Sequence, residues 1–372
     1  MDRRSWLKKG GALSALTLLG GTAAASTLTQ SEIKKFNPRI LSGPAQLNFN
    51  ENPFGPSAKV RKAIMEAFDI GCRYPHSLID ELAEMIAKKE GVTRDHIVIG
   101  GGSTEGLKVT GLTFANNGGE IIAARPTFLA MMSYAQQWGA TINWVDLDDS
   151  LTHDVDEMER RISSKTKLIF LCNPNNPTST LLEKNKLVNF VTSASKKTIV
   201  FSDEAYYDFI EEKDYPSMVT LVKQGANVIV SKTFSKVYGL AGLRVGYLVA
   251  KPELANKIRE NVVANTNVLA LKAAITALND DEFYEFSLNK VKEGKQLMYK
   301  TMDSLGLEYI PSNTNFIFFK TGRDIKTFNK QMLDNGVLVG RPFPPYNDWC
   351  RISMGTIEEV QVFNKALMKI MS

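Results

Sequence analysis

The stretch Ser231-Lys232-Thr233-Phe234-Ser235-Lys236-Val237-Tyr238-Gly239-Leu240-Ala241-Gly242-Leu243-Arg244 joins two apolar runs, Asn227 to Val230 and Val245 to Val249. Both runs read as buried strands. Between them lie hydroxyls, a lysine and, eight residues later, an arginine, separated by small residues and glycines. A loop of that kind at the end of a buried strand can hold an amine against an electrophile, while its hydroxyls and Arg244 grip a phosphate. Taken alone, Lys236 is equally well one of 45 basic residues pointing into water.

Similar signals recur upstream. His96 to Ile99 reads as a strand running into Gly100-Gly101-Gly102-Ser103-Thr104, with Glu105 opening a helix. Free amides and the helix dipole make such a turn an anion site, although a glycine run alone is a weak signal. Thr198 to Ser202 reads as another buried strand, with Asp203 at its carboxyl end, where open α/β sheets bind ligands. The competing reading of Asp203 is a helix N-cap. Asn173-Pro174-Asn175-Asn176-Pro177-Thr178 is a turn after a strand ending at Cys172.

In this order, Gly101 to Glu105, Asn175 to Thr178, Asp203-Glu204-Ala205-Tyr206 and the Lys236 loop resemble the fold-type I pyridoxal-phosphate enzymes. Leu47-Asn48-Phe49-Asn50-Glu51-Asn52-Pro53-Phe54-Gly55-Pro56 narrows the resemblance to the histidinol-phosphate aminotransferase branch, from about Leu47 to the C-terminus. The resemblance implies that Lys236 carries pyridoxal 5'-phosphate and that Gly102, Ser103, Thr104, Thr233, Ser235 and Arg244 hold its phosphate. It places Asp203 against the ring nitrogen, Phe128 on the ring face, and Asn176 and Tyr206 at the phenolic oxygen. Arg351, with Asn176, would bind the substrate, its planar guanidinium pairing with a carboxylate. Tyr74 of Arg73-Tyr74-Pro75 would reach the neighbouring subunit's cofactor phosphate, which implies a homodimer. On the residues alone, Phe128 also suits a helix core, Tyr74 a connector and Arg351 a surface ion pair. Ser179 stands where the family usually has glycine; a positive φ there costs serine on the order of 1 kcal/mol.

The implied reaction is transamination between an amino donor and a 2-oxo acid such as 2-oxoglutarate, with Lys236, Asp203 and Tyr206 catalytic. The region Phe36 to Pro44 lacks the Tyr-x-Pro-Gly element typical of histidinol-phosphate aminotransferases. An exported transaminase for aromatic or other amino acids therefore stays open, as does a decarboxylase related to threonine-phosphate decarboxylase. A non-catalytic cofactor carrier has no use for Arg351.

Strand and helix signals alternate from His96 to Val249, which predicts an α/β fold with a mostly parallel sheet sandwiched by helices. The expected division is a large cofactor-binding domain over 59–280 and a smaller α+β domain over 281–372. An N-terminal arm, 26–58, joins the small domain. Size supports this: 372 residues with 44% apolar content can bury a large core.

Met1 to Lys9 carries Arg3, Arg4, Lys8 and Lys9 against Asp2, then a modestly apolar run to Gly21 and Ala23-Ala24-Ala25. This pattern describes an export signal over 1–25 cleaved near Ala25 and directing the chain to the periplasm. The paired arginines resemble a twin-arginine signal, which implies passage through the twin-arginine translocation machinery. A membrane anchor needs about 20 strongly apolar residues, more than this run supplies. Outside this segment the net charge of +5 falls to +2, no footprint for nucleic acid. Three scattered cysteines and three scattered histidines predict neither a disulfide framework nor a metal site.

Overall fold

The computed structural model describes residues 43–371; the segment 1–25, expected to be an export signal, and most of the stretch Phe36 to Pro44 lie outside the described residues. Ala45–Gln46 forms a two-residue strand, β1. The next seven strands are β2 (Ile97–Gly100), β3 (Glu120–Arg125), β4 (Thr141–Asp146), β5 (Thr166–Cys172), β6 (Ile199–Asp203), β7 (Val228–Thr233) and β8 (Gly246–Ala250). They make one sheet in the order β2-β8-β7-β6-β5-β3-β4. All run the same way except β8, which is antiparallel to both its neighbours. The reason lies in its connection. Residues 234–245 hold only a short turn of helix, Ala241–Leu243, and a parallel return needs a full crossover.

The strands are apolar on both sides because both faces of the sheet are covered. Ile122, Ile169, Leu171, Val200 and Val230 pack on one face with Leu82, Phe190 and Leu271 from the helices His76–Glu90, Lys184–Ala194 and Val268–Ala277. Ile121, Phe170, Phe201 and Ile229 pack on the other with Leu107, Met131 and Leu254. Register then levels the strand ends. Cys172 lies opposite Asp203, Asp203 opposite Ser231, Thr233 opposite Gly246, and Gly246 opposite Gly100.

After the 24-residue helix Asp281–Ser304 come β9 (Tyr309–Ile310), β10 (Phe316–Lys320), β11 (Val337–Leu338) and β12 (Trp349–Ser353). β12, β10 and β9 form an antiparallel sheet. Its core includes Met298, Phe319, Phe328 and Phe363, the last two from the helices Ile325–Asp334 and Ile357–Met371. β1 pairs in parallel with β11, and Ser353 N donates to the carbonyl of Leu47 at 2.9 Å. The Leu47–Pro56 stretch thus starts out bonded to C-terminal strands.

Two expectations need correcting. The apolar spacing from Phe128 to Gln137 predicts a helix, but the helix begins at Ala130, which leaves Phe128 on the connecting segment. Thr127 anchors that segment through its hydroxyl, which donates to Asn175 Oδ1 at 2.8 Å. Between the Asn173 to Thr178 turn and the strand from Thr198 the sequence reading places no helix, yet the crossover helix Lys184–Ala194 forms there, capped by Glu183, which accepts from Asn185 and Lys186.

His153 is 1% exposed, and its Nε2 donates to the carbonyl of Cys172 at 2.9 Å. Burial pushes its pKa down to about 4, partly countered by that carbonyl. Folding therefore favours the neutral ring. Its contribution is intact above the unfolded value of about 6.5 and is lost as pH falls toward the folded value, up to roughly 3 kcal/mol. His153→Gln keeps a donor and removes the proton site. In denaturant melts its stability relative to the parent chain is expected to rise by about 2–3 kcal/mol between about pH 7 and pH 4. The difference cancels the titration of groups common to both proteins. Parallel stability curves would contradict a neutral buried His153.

Candidate active site

The Lys236 loop is anchored by Phe234, fully buried, whose ring lies 5.0 Å from that of Tyr238 and 6.0 Å from that of Tyr247. Thr233 Oγ1 accepts from the Ser235 amide at 3.1 Å, which tightens the start of the loop. Lys236 Nζ donates to the carbonyl of Asn50 at 2.8 Å and lies 5.5 Å from the centre of the Tyr206 ring. Burial and then the positive charge of Arg351 push its pKa down to about 8. That brings the amine close to the range in which a lysine works as a base.

Lys232, four residues earlier, has the opposite environment. Its Nζ lies 3.1 Å from Glu90 and 3.7 Å from Glu204. Burial alone would lower this amine, but the two carboxylates outweigh it and hold the pKa above the usual lysine value. Lys232 is an ion-paired structural cation; Lys236 is the available amine.

Asp203 ends β6 at 2% exposure. Burial pushes its pKa up to about 7, opposed by the Ala205 amide, which donates to Oδ1 at 3.3 Å. No α-helix starts there, and the short helical turn Tyr207–Phe209 has no side-chain cap, so the N-cap reading does not hold. Tyr206 is also buried, its hydroxyl accepting from Asn50 Nδ2 at 2.9 Å and from Asn176 Nδ2 at 3.3 Å. With both lone pairs accepting, the phenolic proton is left to donate. Burial raises the pKa of this phenol and keeps the proton on it.

Arg351 lies on β12 beside this group. Its Nη1 donates to Asn176 Oδ1 and its Nη2 to the carbonyl of Asn48, both at 2.7 Å. Those acceptors are neutral, and the buried Nε has no hydrogen-bond partner. Burial pushes the pKa down to about 10. A buried guanidinium held only by neutral oxygens is a built anion site. The surface ion-pair reading is excluded.

The glycine turn lies at the end of β2. Gly102 has φ +82° at the start of the helix Ser103–Ala115, and a Cβ there would collide with the Arg244 guanidinium. The amides of Ser103 and Thr104 fall in the first helical turn, where no intrahelical acceptor exists. Arg244, itself at φ +57°, donates to Ser235 Oγ at 3.3 Å, to the Ala241 carbonyl at 2.7 Å and to the Gly101 carbonyl at 3.4 Å. Gly102, Ser103, Thr104, Thr233, Ser235 and Arg244 thus come together from two loops.

Ser179 has φ +60°, so the strain cost that a positive φ carries for serine does apply at that position. Tyr74 is not brought to this group within the chain: it is 85% exposed, and its ring is 6.1 Å from that of His76. Phe128, half-buried, packs on the sheet face lined by Phe170. Sequence reasoning assigned no role to Asn50, Asn48, Ser353 or Arg341. Asn48 and Asn50 lie in a stretch read as a family marker, and only the folded chain shows where their carbonyls point.

Pyridoxal phosphate fits these residues. Asp203, a buried carboxyl, makes no ion pair among the described residues, so a protonated ring nitrogen would supply its missing cation. The Gly102 turn with Arg244, Ser235 and Thr233 would take the phosphate, and Lys236 would carry the cofactor. When bound, the cofactor supplies an electron sink for carbanion chemistry.

The model of the family aminotransferase class I and II matches residues 44–367. The chain is 40% identical over 333 residues to the histidinol-phosphate aminotransferase of Moorella thermoacetica, covering 88% of this chain and 85% of that one. It is 35% identical over 322 residues to histidinol-phosphate aminotransferase 1 of Bacillus cereus, covering 86% of each. The fold matches that of the histidinol-phosphate aminotransferase of Sinorhizobium meliloti in complex with pyridoxal-5'-phosphate, with a TM-score of 0.81 at 23% identity. That match covers 96% of this chain and 99% of that one. The chain belongs to the class I and II aminotransferases and is a pyridoxal-phosphate-dependent aminotransferase of the fold-type I architecture.

Proposed function

We propose that this aminotransferase moves an amino group between histidinol phosphate and a 2-oxo acid such as 2-oxoglutarate. The observation that carries the substrate is a pair of guanidiniums on one ring. Arg351 and Arg341 lie 5.0 and 4.3 Å from the centre of Phe343. Histidinol phosphate has no α-carboxylate; its anionic group is a phosphate ester. A site serving both half-reactions must grip a carboxylate in one and a phosphate in the other. Arg351 suits the carboxylate, and the adjacent Arg341 adds the second positive charge that a dianion calls for.

Lys236 is then the group that takes the α-proton and returns it, its depressed pKa leaving part of it unprotonated near neutral pH. With the cofactor bound, Asp203 would hold its charge against the ring nitrogen, and Tyr206 would donate a hydrogen bond to the phenolic oxygen. Asn176 supports Arg351 and Tyr206 together. The working form is a homodimer in which Tyr74 serves the neighbouring site. Phe68 at 60% exposure and Met65 at 70% lie near Tyr74 in sequence, and supply apolar surface for a second copy to cover.

Export belongs to the same reading, supported by Arg3-Arg4 and Ala23-Ala24-Ala25. In cell fractionation the full chain is expected in the periplasm, and the double variant Arg3→Lys, Arg4→Lys in the cytoplasm. Equal distribution of the two would contradict a twin-arginine address.

The substrate assignment is tested with the cofactor-loaded full chain by following its near-visible absorbance. Histidinol phosphate is expected to bleach the band and 2-oxoglutarate to restore it. Arg341→Gln is expected to raise KM for histidinol phosphate about 10- to 100-fold, the cost of one charged hydrogen bond. Bleaching by phenylalanine but not by histidinol phosphate would transfer the assignment to an amino-acid transaminase. Release of carbon dioxide without a 2-oxo acid requirement would make the chain a decarboxylase.

A further inference from the structure

Asn50 connects more of this site than any residue assigned from sequence, and it does so from an unusual backbone conformation. It is 1% exposed and has φ +56°. The left-handed region is open to asparagine more readily than to most non-glycine residues. Every polar atom of the residue is engaged. Its amide donates to Ser353 Oγ at 2.8 Å, and Ser353 Oγ donates back to Asn50 Oδ1 at 2.9 Å. Its Nδ2 donates to the Tyr206 hydroxyl at 2.9 Å. Its carbonyl accepts from Lys236 Nζ at 2.8 Å and from Asn315 Nδ2 at 3.1 Å. These partners come from four separate parts of the chain: β12, the end of β6, the Lys236 loop and the start of β10.

We propose that Asn50 is a positioning residue for the transamination: its carbonyl holds the amine of Lys236 whenever that amine is free, and its side chain ties the Tyr206 hydroxyl to the strand that carries Arg351. The inference rests on the reading of Lys236 as the cofactor-bearing base. With the cofactor carried on Lys236, its amine would be free while an amino donor is bound, and would then need a defined, half-buried position. The Asn50 carbonyl is an acceptor for the ammonium form, which the charges of Glu51 and Asp203 also favour, whereas burial, Arg351 and Arg244 favour the neutral amine. The balance between them sets how readily the amine takes a proton from the substrate and gives it back. Because Asn50 Nδ2 occupies one lone pair of Tyr206, the same residue also fixes the direction in which that hydroxyl donates.

The test reads the lysine in the cofactor-free full chain, so it needs no turnover and fails independently of the substrate assignment. The rate at which acetic anhydride labels Lys236 is followed against pH by peptide mass spectrometry. Asn50→Gly keeps the left-handed backbone and the carbonyl, and the labelling midpoint is expected to stay within about 0.3 pH unit of the parent chain. Asn50→Val is excluded from that backbone region, and the midpoint is expected to fall by about one unit as the ammonium loses its acceptor. A Val variant with the parental midpoint overturns the proposal. If that variant does not fold, Ser353→Ala, which frees Asn50 to rotate, is expected to lower the midpoint by about half a unit, and no change overturns the proposal. In the cofactor-loaded enzyme, Asn50→Gly is expected to lower kcat about tenfold with little change in KM for 2-oxoglutarate. An unchanged kcat would remove the Tyr206 half of the proposal.

Discussion

Asp203, Arg351 and the half-buried Lys236 lie at one edge of this structure with no direct ion pair among the described residues, and the rest of the molecule is arranged around that imbalance. Asp203 makes no ion pair among the described residues, Lys236 has a carbonyl for a partner, and Arg351 is held by an amide oxygen and a carbonyl. Burying such groups is unfavourable in an isolated chain. The pKa values move accordingly, Asp203 up to about 7 and Lys236 down to about 8. The imbalance makes sense once a ligand brings the complementary charges: a ring cation for Asp203, an electrophilic carbon for Lys236, an anion for Arg351. Lys232 shows what the same fold does with a cation meant only to stay put, for it is given two glutamates.

The fold holds this imbalance in place by levelling strand ends. Parallel register puts Cys172, Asp203 and Ser231 in one row, and the reversed β8 brings Gly246 beside Thr233 and Gly100. The Asn176 turn, the Asp203 carboxyl, the Lys236 loop and the Gly102 turn thus open along one edge. The arm from Leu47 then crosses from β12 to the Lys236 loop. Its Asn52 Nδ2 donates to the Val237 carbonyl at 2.8 Å and to Ser287 Oγ at 3.0 Å. Gly55 and Gly239 meet so closely that neither position has room for a Cβ. Arg351 and Lys236 are therefore bridged by a few residues of arm, with Asn50 in the middle.

Much of this was legible in the amino-acid sequence, because long apolar runs with a 2-residue or 3.6-residue period are decided locally. The strands at Thr166–Cys172 and Val228–Thr233 are of that kind. What was not legible depends on distant partners. The two-residue strands β1 and β9 exist only through pairing with β11 and β10. The direction of β8 follows from what its connection lacks. Phe128 sits off its predicted helix because Thr127 is tied to Asn175, 48 residues away. Asn50 shows its importance only when Lys236, 186 residues away, is in view. Ser179 is a further case: the sequence showed only a serine where the family usually has glycine, and it took the folded backbone to show a positive φ there.

The central claim is that Lys236, and no other lysine, carries the cofactor. The direct measurement is to load the full chain with pyridoxal phosphate, reduce it with borohydride and locate the added mass by peptide mapping. Label confined to Lys236, and absent from a Lys236→Ala variant that still binds the cofactor reversibly, is the expected result. Label on Lys232, or on surface lysines at random with Lys236 unmodified, would contradict it.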